Sequence, residues 1–574
     1  MKKYKFIFLL LMLIVQTAYS QNWEELNNNV IKYYNLGDYS NAIIYAEKAV
    51  IQAKVEFGVS HNNYGTSLNN LAVLYESMGQ YEKALPLHLE ALTNTEKSLG
   101  KEHSSYGIRL SNLAGLYKSM GQYEKALPFY LEALTNTEKS MGKEHSEYGI
   151  SLNNLALLYE SMGQYEKALP LYLEALTNTE KSLGKEHSEY GIRLSNLAGL
   201  HESMGQYEKA LPLYLEALTN TEKSMGKEHS YYGTCLNNLA VLYERMGQYK
   251  KALPLYLEAL TNTEKSQGKE HSEYGIRLNN LAALYESMGQ HEKALPLYLE
   301  ALTNTEKSLG KDHSFYGIRL NNLAGLYKSM GQYEKALPLY LEALTNTEKS
   351  MGKDHSKYGI RLTGLAELYE SMGQYGKALP LYLEALTIIE KSMGKDHSYY
   401  GISLGYLAGL YRSIGQYEKA LPLYLEALTN TEKSLGKDHS YYGAGLNSLA
   451  VLYESTGQYE KALPLYLEAL TNTEKSLGKD HSSYGIRLNN LAGLYQRMRQ
   501  YEKALPLYLE ALTNTEKSLG KNHTSYAIIL NDQAAMYENM GQYDKTLLLY
   551  LEAKKLIINN IDKNFSFLSE KEKE

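Results

Sequence analysis

Residues 103–144 read HSSYGIRLSNLAGLYKSMGQYEKALPFYLEALTNTEKSMGKE, and residues 145–186 repeat them almost letter for letter. The block recurs every 42 residues: His61, His103, His145 and His187 mark the register, which runs without a slip to His481 and His523. All 11 prolines, from Pro86 to Pro506, keep it too. A fixed period of this length is the mark of stacked supersecondary units. With a shorter opening unit around Gly37, Asp38 and Tyr39, the chain holds thirteen units and leaves no room for a second domain of ordinary size.

Each unit reads as two helices. Tyr106, Leu110, Leu113, Ala114 and Tyr117 fall at i, i+4, i+7, i+8 and i+11, an apolar stripe of helical period. Gly121 closes this first helix, as a C-terminal glycine does. In the second helix Tyr123, Ala126, Leu127, Tyr130, Ala133 and Leu134 share one face, and Gly142 ends it. The polar loop Lys143-Glu144-His145-Ser146 leads onward, with Ser146 expected as the next N-cap. Pro86 and its copies lie six residues into the second helix, where a repeated kink is expected to bend the helix around the stack. Two helices with one apolar stripe each cannot bury themselves alone; stacked neighbours make a continuous core. The strand period of 2 is absent, which excludes a propeller.

Leu71-Ala72, Tyr75, Gly79, Tyr81, Ala84 and Ala91 have the spacing of the tetratricopeptide signature, and these residue types exclude a HEAT array. The strings NNLAVLYE, ALPLYLEAL and TEKSLGKEH resemble the long tetratricopeptide repeats of kinesin light chains and their bacterial relatives, over residues 22 to about 555. One departure is Ser104 or Ser146 after the linker histidine, where those proteins carry proline. The resemblance implies an all-α, right-handed superhelical solenoid of helix-turn-helix repeats. It also implies a non-catalytic scaffold that binds a peptide or protein segment in its concave groove. The expected layout is a leader over 1–20, a short opening unit over 21–60, twelve 42-residue units over 61–555, and a polar capping helix or domain junction over 556–574.

With Leu113 at zero and 100° per residue, the face opposite the core collects Ile108, Ser111, Gly115 and Lys118, with Asn112 and Ser119 at its edge. Equivalents of Asn112 form a ladder: Asn70, Asn112, Asn154, Asn196, Asn238, Asn280 and Asn322. In kinesin light chains and similar peptide-binding proteins an asparagine here pairs with the ligand backbone, so the resemblance makes these residues the expected contacts. The ladder breaks at Gly364, Tyr406 and Ser448, resumes at Asn490 and ends at Asp532. In the neighbouring row Asn69, Asn237 and Asn321 give way to Thr363 and Gly405. Two readings stand: a specialised pocket with Tyr406 as aromatic anchor, or drift between duplicated copies. A second row, Arg109, Arg193, Arg277, Arg319, Arg361 and Arg487, reads as a clamp for acidic groups of a partner, as a solvated rim, or as inter-helix salt bridges.

Linker histidines from successive units, roughly 10 Å apart, cannot share a metal ion whose ligands sit about 2 Å from it. His88, His201 and His291 stand where other units carry Tyr and read as packing variants. No metal and no cofactor is expected. Every candidate nucleophile exists in many equivalent copies, whereas a catalytic centre needs one asymmetric constellation. A single cysteine, Cys235, excludes an intramolecular disulfide framework and reads as copy drift or as a reactive thiol.

Lys2, Lys3 and Lys5, the apolar run Phe6 to Val15 and the ending Ala18-Tyr19-Ser20 predict a secretory leader cleaved after Ser20, or else an uncleaved anchor. The expected location is the periplasm or outside the cell, with no membrane insertion after cleavage. Loss of those three lysines takes the net charge from -6 to -9. Lys and Glu are interspersed, without the basic stripe that nucleic acid demands. Near the other end Leu548 replaces the usual proline. Residues 564–570 resemble the junction where bacterial tetratricopeptide arrays enter a caspase-like CHAT peptidase domain. On that resemblance the chain would be the recognition arm of a split or truncated peptidase system. The other readings are a capping helix there and, for the whole chain, a structural spacer without a specific ligand.

Overall fold

The computed structural model describes residues 21–566. The expected leader, 1–20, and the last residues of the segment that resembles a peptidase junction lie outside the described residues. Among the described residues there are 26 helices and no strand, in pairs from Trp23–Asn35 with Tyr39–Glu56 to Thr524–Asn539 with Tyr543–Ser566. No described helix is long and apolar enough to cross a membrane.

The helices form two compact units. The first takes residues up to Leu158 together with Ser308–His313; the second takes Tyr159–Lys307 and Ser314 onward. Both are built from the same module. In the second unit Ala450 of one first helix, Ala462 and Tyr466 of its partner, and Leu491 and Leu494 of the following first helix make one buried cluster. The alanines let the helices approach closely, and each leucine removed from water contributes about 1.5–3 kcal/mol. In the first unit Tyr106, Leu110 and Ala133 make a cluster of the same kind.

The turns follow from two glycines per repeat. After Ser104–Ser119, Gly121 takes φ 70°, its N–H donates to Lys118 O at 2.9 Å, and Gln122 N–H donates to Tyr117 O at 2.8 Å. This is a Schellman closure. After Tyr123–Met141, Gly142 adopts φ 86° and ψ 159°, a region essentially reserved for glycine. The helix runs unbroken through Pro128.

The expected cap is corrected. Ser146 is the first residue inside its helix, and the acceptor is the histidine before it: His145 Nδ1 takes the Glu147 N–H at 3.2 Å. His103, His229 and His481 do the same for Ser105, Tyr231 and Ser483. These linker histidines therefore cap their own helices, with Nδ1 as acceptor and the ring proton on Nε2.

Two further ties were not anticipated. Asn262 Nδ2 donates to Lys227 O at 2.6 Å, tying a second helix to the linker of its own repeat. A Cβ on Gly233 would lie 2.3 Å from Asn262 Oδ1, which explains the glycine inside that helix. In the second unit Tyr172 OH donates to Glu160 Oε2 at 2.7 Å, and Tyr256 to Glu244 at 2.7 Å, so these two buried phenols find a carboxylate in their own repeat; Tyr508 OH meets the Gln496 amide oxygen instead, at 2.7 Å. His88 replaces this tyrosine with its Nε2 3.7 Å from Glu76 Oε2.

Candidate functional site

The asparagine ladder lies on the first helices, where Asn70, Asn112, Asn154, Asn196, Asn238, Asn280, Asn322 and Asn490 are all half-buried. Several reach back one repeat. Asn112 Nδ2 donates to Asn69 Oδ1 at 2.9 Å, Asn280 to Asn237 and Asn322 to Asn279 at 3.0 Å, and Asn490 to Asn447 at 2.9 Å. Each bond takes one of two amide donors and fixes the orientation of the side chain. In the pair Asn279-Asn280 the two asparagines thus have separate duties, the first accepting from the repeat after it and the second donating to the repeat before.

The arginine row lies deeper than a rim. Arg193, Arg277 and Arg319 are only 4–5% exposed. Arg277 donates to Thr234 Oγ1 of the preceding repeat at 2.9 Å and pairs with Glu273 at 2.9 Å; Arg193 pairs with Glu189 at 2.7 Å. Arg109 donates to Thr66 Oγ1 at 3.0 Å. Burial pushes Arg109, Arg319, Arg361 and Arg487 down to about 10. Through Thr66 and Thr234 the Arg109 and Arg277 guanidinium heads join successive first helices, while Glu189 and Glu273 stand on the same helix as their arginines. Cys235 is buried beside Thr221 Oγ1, 3.4 Å away, and burial pushes its thiol up, away from the reactive thiolate.

Full repeats eight and nine, both in the second unit, depart from the pattern on the same helix face. Glu367 stands where the other repeats carry Gly, Ala, Val or Leu, as at Gly325, Gly409 and Val451. Its Oε2 is 2.5 Å from Lys328 Nζ of the repeat before, and it is hydrogen-bonded to the Tyr406 hydroxyl of the repeat after. Burial, and then the Glu367 charge, push the Tyr406 phenol up. The Tyr406 ring stacks on Tyr382, centroids 6.2 Å apart and planes 11° apart, yet keeps 40% of its surface exposed. Beside it Gly405 leaves open space, with nothing within 4 Å of where a Cβ would be, while Gly364 sits tight against Tyr340. Three first helices thereby present a cation, an anion and an open aromatic face within one connected network. Tyr406 was visible in the sequence as a break in the ladder. Lys328 and Glu367 were missed, although Glu367 is the single acid in its row.

The match to a known family agrees with this architecture. The tetratricopeptide repeat family matches residues 26–97, 107–181, 192–265, 276–349, 360–433, 399–475, 441–513 and 485–556. A search of the curated proteins found no match. Among solved structures, BtubC from P. vanneervenii is similar at 24% identity and a TM-score of 0.32, over 41% of this chain and 92% of that one. A protein of Podosopora anserina assigned as a kinesin light chain, with nearly identical TPR-like repeats, is similar at 25% identity and a TM-score of 0.31, over 36% and 98%. A Rap protein complexed with competence and sporulation factor is similar at 16% identity and a TM-score of 0.45, over 65% and 99%.

Proposed function

The chain belongs to the tetratricopeptide repeat family, and on that premise we propose that it binds an extended segment of a partner protein along its first helices, with Tyr406 as the anchor. Repeats of this family act as protein-interaction scaffolds. The observation that carries the finer reading is the Lys328–Glu367–Tyr406 network, which interrupts an otherwise repeated surface with an exposed aromatic ring on a polar support. Aromatic side chains held this way make good anchors, because their surface is large and little freedom remains to be lost on binding. The asparagine ladder offers amides already oriented by their bonds to neighbouring repeats. The leader-like N-terminus supports an exported protein as the setting for this activity.

The test uses the chain from Gln21 onward to select displayed peptides, followed by calorimetry on the selected sequences. Tyr406→Ala should weaken binding about 10- to 30-fold, as loss of an anchoring aromatic does. Asn280→Ala paired with Asn322→Ala, in the same unit as Tyr406, should weaken it further for the same peptides. Peptides bound equally by all variants would move the site off this face, and a failure to select any would favour a spacer.

A further inference from the structure

Every full repeat carries two small features at the ends of its first helix: the linker histidine before it and the turn that follows it. In the second unit these meet at a constant separation. His397 lies over Gly163, His439 over Gly205, His481 over Gly247 and His523 over Gly289, each pair 234 residues apart. A Cβ on any of these glycines would stand 2.8–3.1 Å from the ring. The rings are hydrogen-bonded to the carbonyls of Ser161, Ser203 and Arg245 for His397, His439 and His481. Tyr207 and Tyr249, just after the turns, are hydrogen-bonded to Ser440 and Ser482, just after the histidines. Leu477 packs on the Tyr207 cluster. Inside the first unit His313 Nε2 lies 3.2 Å from Ser77 O, beside Gly79, in the same manner.

Both halves of this contact also occur unpaired. His103, His145, His187 and His229 are exposed, whereas His397 and His439 keep only 6–7% of their surface. Gly331, Gly373, Gly415 and Gly457 have nothing within 4 Å of a would-be Cβ. The tyrosines register the difference: Tyr207 is 8% exposed, but its equivalents Tyr375 and Tyr417 are 38% and 36% exposed. Sequence does not distinguish covered from open turns, since Gly205-Gln206-Tyr207-Glu208-Lys209 and Gly415-Gln416-Tyr417-Glu418-Lys419 are identical. Gly79, Gly163, Gly205, Gly247 and Gly289 each receive a histidine, while the replacement of a turn glycine by a side chain, Arg499 at φ 58°, falls on a turn with no described histidine over it.

We infer that these open halves pair between molecules, with the exposed linker histidines of early repeats in one chain packing on the open turns of late repeats in a second. The occupant is a second copy because the surface it needs is the one this chain already presents to itself, residue for residue. The two surfaces differ, so the contact is heterologous, and it joins molecules head to tail rather than as a symmetric pair. The contact uses none of Lys328, Glu367 and Tyr406, and stands whether or not that network binds a partner.

Sedimentation velocity of the chain from Gln21 onward, across a wide concentration range, tests the inference. Growing head-to-tail species are expected. Gly415→Arg with Gly457→Arg blocks the turns with the residue found naturally at 499. His187→Asn with His229→Asn removes the rings while keeping a capping acceptor. Each variant should associate at least about tenfold more weakly, since loss of ~1.4 kcal/mol is a factor of ten. An equimolar mixture should restore a dimer that grows no further, because each variant supplies the surface the other lacks. Tyr375→Ala with Tyr417→Ala, at exposed positions, gives an independent block should the arginine variants lose helicity. A wild-type monomer at all concentrations, variants that associate like wild type, or a mixture with no recovery would each overturn the inference.

Discussion

Gly247 and His481, 234 positions apart, are so close that a Cβ on the glycine would stand 2.8 Å from the imidazole Cδ2. The glycine is required twice over, by its φ of 68° and by the ring above it. Gly415 has nearly the same backbone, φ 76°, with nothing above it.

Gly415→Ala should therefore cost only the left-handed strain, about 1 kcal/mol. Gly247→Ala should cost that plus displacement of the ring, about 2–3 kcal/mol together. Hydrogen exchange at the two turns is the measurement, because a long array has no single unfolding free energy. Equal loss of protection at both would mean that the histidine contact does not form in solution.

Acid should loosen the same contacts. Burial lowers His397, His439 and His481 from 6.5 to about 4, and for His439 the Arg245 charge adds to it. With the folded value below the unfolded one, the unfolded ring takes up its proton first as pH falls. The contribution is complete above pH 6.5 and drains away toward pH 4, by up to roughly 3 kcal/mol for each well-buried ring. Exchange protection around Gly163, Gly205 and Gly247 should fall between pH 7 and 5 more than it falls around Gly373 and Gly415. In His439→Asn the extra sensitivity at Gly205 should vanish; its persistence there would assign the effect to other groups.

The linker tie can be tested at Asn262. Asn262→Ala leaves Lys227 O without its 2.6 Å donor and should cost about 1–3 kcal/mol. The loss should be confined to the linker and helix start around His229, read by exchange at Tyr231 and Tyr232. Full repeat eight is a natural control, because Ile388 and Ile389 fill this place and are buried. A change at 262 with no local effect would show that packing alone holds the linker.

The helix pairs were legible because their information is local: an apolar stripe, a glycine and a period of 42 lie within one repeat. What escaped depends on neighbours. Ser146 looked like the cap because serine is a strong capping residue, but the chain enters its helix one residue earlier and gives the role to His145. The arginine row was open to several readings because a helical wheel gives angle and not depth; the stacking of successive first helices brings Arg277 against Thr234. Tyr406 could be noticed as an exception, whereas its support by Glu367 and Lys328 spans three repeats and is a property of the stack. The clearest limit is His187 against His439: nearly the same local sequence, one exposed and one buried, separated only by what lies 234 residues away.

That separation is five whole repeats and a fixed fraction of a sixth, and each repeat brings both partners of the contact with it. Gain or loss of a complete repeat by unequal recombination would therefore not disturb the register, since every turn would still meet the histidine that follows it by the same interval. Array length would change how many lateral contacts are closed, while the unpaired ends would stay constant in number. Copy number in such a gene can drift widely and still encode an array with the same kinds of unpaired histidine and unpaired turn.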